Sequence, residues 1–358
     1  MRFTCEAKEL CGACAEAAKA VSVRSTIPAL TGIRMILRGS ILSLSGYDME
    51  IGVETKMSVV GEEDGAIVTN AANIFLATIS KLKGEIEFTA TENRISIRSK
   101  KGNIEFIGNP AADYPSLPDI DMKNELQGLD LKAALSSTSY CIDERSTKTA
   151  ITGALITAQK GLCEIVGTNG SIMALFTLDA GVSNVKMIIP KKAIKIIEDC
   201  AGKREKIFFG ATENLASFGD DCTRIITRTI SGDFINYGKI IEPARNFTKI
   251  SINRAEFAEI IEIVNTVCTE KDRKAVILRF GESGIDIKME TSLGRVENHI
   301  SCECSVNYTA AFNPRYLYEA VSHSGAEKIA FYAGGALSPM LITDGCGYEA
   351  VVLPVRMK

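Results

Sequence analysis

The sequence has no tryptophan, 6% aromatic residues and two histidines, His299 and His323. So few aromatics argue against a base-stacking platform for single-stranded nucleic acid. There is no apolar run of the 18 or so residues needed to cross a bilayer, so no membrane span or membrane partner is expected. Neither charge dominates: 41 basic and 44 acidic residues leave a net charge of −3. A protein that grips DNA by bulk electrostatics would be basic, so any nucleic-acid role must work some other way. The opening Met1-Arg2-Phe3-Thr4-Cys5-Glu6 carries acid where a signal peptide would carry its apolar core, and secretion is not expected. The 11 cysteines are odd in number and scattered, which disfavours a disulfide scaffold and predicts a reducing, cytoplasmic setting. What remains, 46% apolar and 24% charged over 358 residues, predicts a soluble globular chain of two or three domains.

Catalytic motifs are also lacking. There is no HExxH, no GxSxG and no phosphate loop ending in Gly-Lys-Ser/Thr. Cys11-Gly12-Ala13-Cys14 reads either as a redox pair or as one side of an amphipathic helix. No strand of a βαβ unit precedes it, which favours the helix. His299, Cys302 and Cys304 are three soft groups close together, but no fourth ligand has zinc-site spacing. Alternation there predicts a strand with Ile300, Cys302 and Cys304 on one face and His299 on the other. A cysteine-rich metal or redox enzyme built on these two groups is the alternative function. Gly345-Cys346-Gly347-Tyr348-Glu349-Ala350 matches GxGxxA, yet Val351-Val352-Leu353-Pro354 follows instead of a helix, so it reads as a turn between strands. Lys191, Lys192 and Lys195 are a basic cluster, read as a solvated helix face or a phosphate contact. No nucleophile, metal set or acid–base pair emerges, and no enzyme, cofactor or metal is predicted.

What the sequence does have is periodicity. Amphipathic patterns recur over residues 8–22 (Leu10, Cys14, Ala17, Val21), 129–141 (Leu131, Ala134, Leu135, Thr138) and 253–268 (Phe257, Ile260, Ile261, Val264, Val267), the last capped by Asn253. Leu30-Thr31-Gly32 returns as Ile151-Thr152-Gly153, 121 residues on, each followed by two short strands. A second helix recurs near Asn70 (Ile74, Phe75, Ile79, Leu82), after Pro190 (Ile194, Ile197) and after Asn313-Pro314 (Leu317, Ala320, Val321). The pattern predicts an α+β protein: three tandem repeats, each with two helices and antiparallel sheet, over residues 1–118, 119–242 and 243–358. Pro110–Pro118 and Asp233–Pro243 are the candidate linkers. An array of this kind ends in free strand edges that need partners, and closure into a ring removes them.

Arg24-Ser25-Thr26-Ile27-Pro28-Ala29-Leu30, Leu42-Ser43-Leu44-Ser45-Gly46-Tyr47-Asp48-Met49-Glu50-Ile51 and Pro110-Ala111-Ala112-Asp113-Tyr114-Pro115 follow one another in the first third. Thr168-Asn169-Gly170, Asp233-Phe234-Ile235-Asn236-Tyr237 and Tyr348-Glu349-Ala350-Val351-Val352-Leu353-Pro354-Val355-Arg356 follow later. In this order, over the whole chain, they resemble the bacterial replicative sliding clamp, the beta subunit of DNA polymerase III. The resemblance implies a head-to-tail homodimer forming a ring around double-stranded DNA, with no catalytic activity. It also implies a cleft between second and third domains that takes short linear peptides. The implied partners are the DNA polymerase III catalytic subunit, the clamp loader, and other polymerases and repair proteins that carry such a peptide.

Carried over residue by residue, the cleft would use Ile151, Thr168, Gly170, Met173, Lys239 and Ile240. Asn313, Tyr316, Pro339, Leu353, Pro354, Val355 and Arg356 would complete it, with Thr168, Asn313 and Arg356 as the polar groups. The family commonly has His-Arg after the glycine and Pro at the Ile235 position; this chain has Ser171-Ile172 and Ile235. Leu353, Pro354 and Val355 read alternatively as a plain buried last strand. The DNA-facing groups would be Lys19, Arg24, Lys81, Lys132, Lys191, Lys192, Lys195, Arg254 and Arg315, while Glu256, Glu259 and Glu262 make one helix face acidic. The dimer contact would set Ile104 and Phe106 of one chain against Val264, Val267 and Cys268 of another. A third option is a repeat protein that only scaffolds other proteins.

Overall fold

The computed structural model describes residues 1–22, 24–180, 184–268 and 275–357. The architecture is α+β, with seven helices among the described residues and antiparallel strand pairing throughout. The helices are α1 (Ala7–Ala18), α2 (Ala72–Ile79), α3 (Gly128–Ser139), α4 (Lys191–Ala201), α5 (Gly238–Ala244), α6 (Arg254–Val267) and α7 (Pro314–Ser322). The chain divides into two compact units, residues 1–128 with 195–229, and residues 129–194 with 230–358.

The first unit holds a 13-stranded sheet. Its apolar faces alternate as a half-buried strand requires: in Ile86, Phe88 and Ala90, for example, every second side chain is buried. Leu10, Cys14 and Ala17 of α1 and Phe75 and Ile79 of α2 pack in the same core as Phe3, Leu44 and Phe88. Of the stripe expected on α2, Phe75 and Ile79 are buried and Ile74 alone is exposed. Pro110–Pro118 is irregular apart from one short 3-10 turn, as expected. It is pinned by Tyr114, which is buried, donates to the Ser45 carbonyl at 3.2 Å and stacks under Arg34.

In the second unit an eight-stranded sheet and a four-stranded sheet share a core with α6 and α7. Asn253 caps α6, its side chain accepting from the Glu256 N–H at 3.0 Å, and Asn313 caps α7 by accepting from Arg315 at 3.0 Å. The helix α5 was not expected. It spans Gly238–Ala244 and so overlaps Asp233–Pro243, expected to be a linker. Ile241 and Ala244 are buried there, and Phe234, Tyr237, Ile240 and Phe247 pack beside them on Leu155, Met173, Leu175 and Val351. Tyr237 donates to Glu164 at 2.5 Å and Arg245 makes a two-pronged contact with Glu349, so the segment is fastened to the sheet at both ends.

One packing device occurs in both units. A Cβ on Gly46 would meet the Ala17 carbonyl of α1 at 1.9 Å, and one on Gly167 would meet the Thr138 carbonyl of α3 at 2.2 Å. Bare strand backbone lets the last turn of each helix rest directly on the sheet.

Candidate functional site

The residues assigned to the peptide cleft all fall in the second unit. The strand Leu162–Thr168 turns into Ile172–Asp179 through Asn169, Gly170 and Ser171. Gly170 has φ 87° and open space where a side chain would be, so the turn presents naked backbone. Met173 and Ile151 are buried, Ile240 half-buried and Lys239 exposed. Met173 and Ile240 belong to the cluster beneath α5. Pro339 is half-buried, immediately before the strand Met340–Thr343.

The last strand ends at Val352, and the chain continues without regular structure. The reading of Leu353–Val355 as a buried strand is overturned: Leu353, Val355 and Met357 are 38%, 42% and 52% exposed. Backbone bonds hold this strap in place. Leu353 N–H donates to Ser171 at 3.0 Å and Val355 N–H to Ala311 at 2.7 Å. Alternate main-chain donors are spent inward while apolar side chains stand in water, an arrangement suited to covering by an apolar ligand.

Two of the three expected polar groups are engaged in local structure. The Thr168 hydroxyl donates to the Ile172 carbonyl at 2.8 Å and accepts from Gly170, and the Asn313 oxygen caps α7. Arg356 is exposed. Sequence reasoning missed Asn169, whose amide donates to the Tyr316 hydroxyl at 3.3 Å. Its Asx turn was a visible signal; its partner, 147 residues away, was not.

The basic residues differ in exposure. Arg24, Lys81, Lys132, Lys192, Lys195 and Arg315 are exposed. Three others are turned to internal work. Lys19 pairs with Glu16 at 3.0 Å and Asp199 at 3.5 Å, Lys191 donates to the Ile142 carbonyl at 2.8 Å, and Arg254 donates to Ala326 at 2.7 Å. Glu256, Glu259 and Glu262 are exposed on α6 as expected.

One of the expected dimer residues needs correction. Val264 is 0% exposed, sealed in its own core with Phe257 and Ile261, and offers nothing to a second chain. Val267 and Cys268 are half-buried against that core, while Ile263 is the exposed apolar residue of the helix. Ile104 and Phe106 are half-buried, and Phe106 packs edge-on against Phe75 at 5.1 Å. The exposed apolar side chain of that strand is Ile107, at 71%. Its backbone is nonetheless open: among the described residues, 102–107 pair on one side only, with Arg94–Ser99, and the strand Arg295–Ser301 pairs only with Gly284–Glu290.

Among the described residues no cluster of three or more His, Cys, Asp or Glu side chains could hold a metal ion, and the cysteines are free thiols. Cys14 is buried on α1, its thiol pushed up by burial, with Cys11 half-exposed beside it. The strand predicted through Cys304 stops at Ser301, so the alternation ends there. His299 contacts the Asp286 carboxylate at 2.8 Å and the Ser283 carbonyl at 3.2 Å rather than either cysteine. Gly345–Gly347 is a turn between two antiparallel strands, with both glycines at positive φ.

The α+β architecture is that of the DNA sliding clamps. It superposes on the clamp of Bacillus subtilis with a TM-score of 0.94 at 23% identity, covering 100% of both chains. A Pseudomonas aeruginosa clamp bound to griselimycin gives 0.93 at 20% identity, again over 100% of both. In sequence, residues 1–118 match the DNA polymerase III beta subunit, N-terminal domain, and residues 239–356 its C-terminal domain. The beta sliding clamp of Chlamydia pneumoniae is 25% identical over 378 residues, spanning 100% of this chain and 99% of that one. The chain belongs to the DNA polymerase III beta subunit family, the sliding clamps of DNA replication.

Proposed function

We propose that this chain is a processivity factor without catalytic activity. Two copies close head to tail into a ring around duplex DNA and tether the replicative polymerase to its template in the cytoplasm. Each chain contributes three tandem repeats, at residues 1–118, 119–242 and 243–358. The observation that carries the reading is the end-to-end likeness to sliding clamps. The one-sided strands at 102–107 and 295–301 support it, because unpaired strand edges of this kind favour a partner strand. The near-neutral charge agrees with holding DNA by topology: tight phosphate binding would impede sliding, since every contact must be broken. Arg24, Lys81, Lys132, Lys192, Lys195 and Arg315 supply the weakly positive lining.

The polymerase catalytic subunit, the clamp loader and other polymerases or repair proteins dock a short linear peptide on Ile240, Leu353 and Val355 beside Tyr316. The strap with its outward apolar side chains supports this part of the reading. The test is retention on nicked circular DNA. The loaded protein should persist at salt that strips a phosphate binder and should leave once the circle is cut. A binder held by phosphates would lose roughly 10³–10⁵ in affinity between 50 and 200 mM salt. Retention that falls that steeply and ignores DNA ends refutes the ring.

A further inference from the structure

Asn169 is fixed before any ligand arrives. Its Oδ1 accepts from the Ser171 N–H at 2.9 Å and the Ile172 N–H at 3.0 Å. That leaves the Nδ2 end of the amide facing away from the turn, where it donates to the Tyr316 hydroxyl at 3.3 Å. Tyr316 is half-buried on the first turn of α7. Among the described residues its hydroxyl gives its own hydrogen to no protein group. A hydroxyl has one hydrogen to donate, and accepting a bond makes it a better donor. The neighbouring turn at Gly170 is bare backbone with open space around it.

We propose that Asn169 is a positioning residue for the peptide cleft: it holds the Tyr316 hydroxyl as a donor toward a main-chain carbonyl of the bound peptide. This rests on the cleft reading above. A main-chain carbonyl is the acceptor that peptides of different sequence share, so one fixed donor serves several partners. The apolar strap then reads the side chains that differ.

The substitution Asn169→Asp tests this. It keeps an oxygen for Ser171 and Ile172 but replaces the Nδ2 donor with a second acceptor, which draws the Tyr316 hydrogen to itself. The probe is a fluorescein-labelled decapeptide with adjacent Leu and Phe next to its C-terminus, followed by anisotropy on the full chain. Loss of one neutral hydrogen bond weakens binding about fivefold. Asn169→Asp and Tyr316→Phe should each show that loss, and the double variant should bind no worse than Tyr316→Phe alone. Thermal midpoints measured in parallel should agree with the parent. Unchanged affinity in Asn169→Asp, or losses that multiply in the double variant, overturns the inference. Removal of residues 354–358 separates this from the cleft itself. A truncated chain that still binds the probe, or a full chain that does not bind it, overturns the cleft reading together with this one. A truncated chain that loses the probe while Asn169→Asp keeps it overturns this inference alone.

Discussion

The hydroxyls of Tyr140 and Tyr348 lie 2.7 Å apart, and Tyr348 in turn donates to the Ala320 carbonyl of α7 at 2.8 Å. Since the Tyr348 hydrogen goes to Ala320, Tyr140 must be the donor in the pair. The Tyr140 ring also stacks on His323, 4.1 Å between centroids. Burial pushes both phenols well above their ordinary range, so the pair stays neutral across the working pH range.

The chain of donors predicts an asymmetry. Tyr140→Phe removes one bond and leaves Tyr348 with Ala320, for a cost of about 1 kcal/mol. Tyr348→Phe strands both the Tyr140 hydroxyl and the Ala320 carbonyl, for about 2–4 kcal/mol. Urea midpoints of the two variants measure the difference; equal losses would contradict the donor order.

Glu16 carries a pH prediction. Burial pushes its carboxyl up, but hydrogen bonds from Lys203 and Lys19 outweigh burial and hold it below the ordinary 4.5. A carboxyl lowered on folding contributes stability above its unfolded value and loses it as pH falls through the folded one. The parent should therefore exceed Glu16→Gln in stability at neutral pH, with the gap shrinking below pH 4.5. Thermal melts of both proteins from pH 7 downward check the trend, and a gap that widens on acidification would be the wrong sign.

The strand edge at 102–107 gives a test of the proposed dimer. Ile107→Glu places a charge on an exposed position of the open strand without disturbing the Phe106–Phe75 contact. Sedimentation should show a shift toward monomer at a given concentration. Phe106→Glu is the poorer probe, because it also breaks the core of its own chain.

The exposed lysines predict a split between two kinds of DNA binding. Lys132→Ala and Lys195→Ala should each lower the salt slope of transient association by about 0.9. Retention of the closed ring on circular DNA should not change with either. Loss of retention would mean these residues do more than line a hole.

Deleting residues 354–358 removes the exposed Val355 and Met357 and the bond from Val355 to Ala311, while both open strand edges stay intact. The shortened chain should remain dimeric and lose binding to polymerase and clamp loader together. An interface anchor of this kind is worth about 2 kcal/mol or more, roughly 30-fold in affinity.

Local signals made much of this legible. Asn253 and Asn313 announced their helices as caps, and the 3.6-residue period named Phe257, Ile260 and Ile261 as core before any fold was known. The failures have a common cause. Helix α5 carries few local helix signals and forms because a sheet face offers Ile241 and Ala244 somewhere to bury. Val264 was assigned to a partner because periodicity names the apolar stripe but not which body covers it. Asn169 and Tyr316 meet only after folding, and the commitment of Lys19 to Glu16 and Asp199 follows from tertiary placement that composition does not encode.

Gly46 and Gly167 make the helix seats intolerant in one direction only. A single methyl at either position would sit within 1.9 or 2.2 Å of a helix carbonyl, so even alanine must lift α1 or α3 off its strand. Drift at these two sites is closed to every side chain, whereas Gly12 and Gly170, with nothing within 4 Å, impose no such steric bar. A saturation library scored for folded protein should be empty at 46 and 167 while remaining populated at 12, a fingerprint of inherited geometry that no ligand or partner needs to maintain.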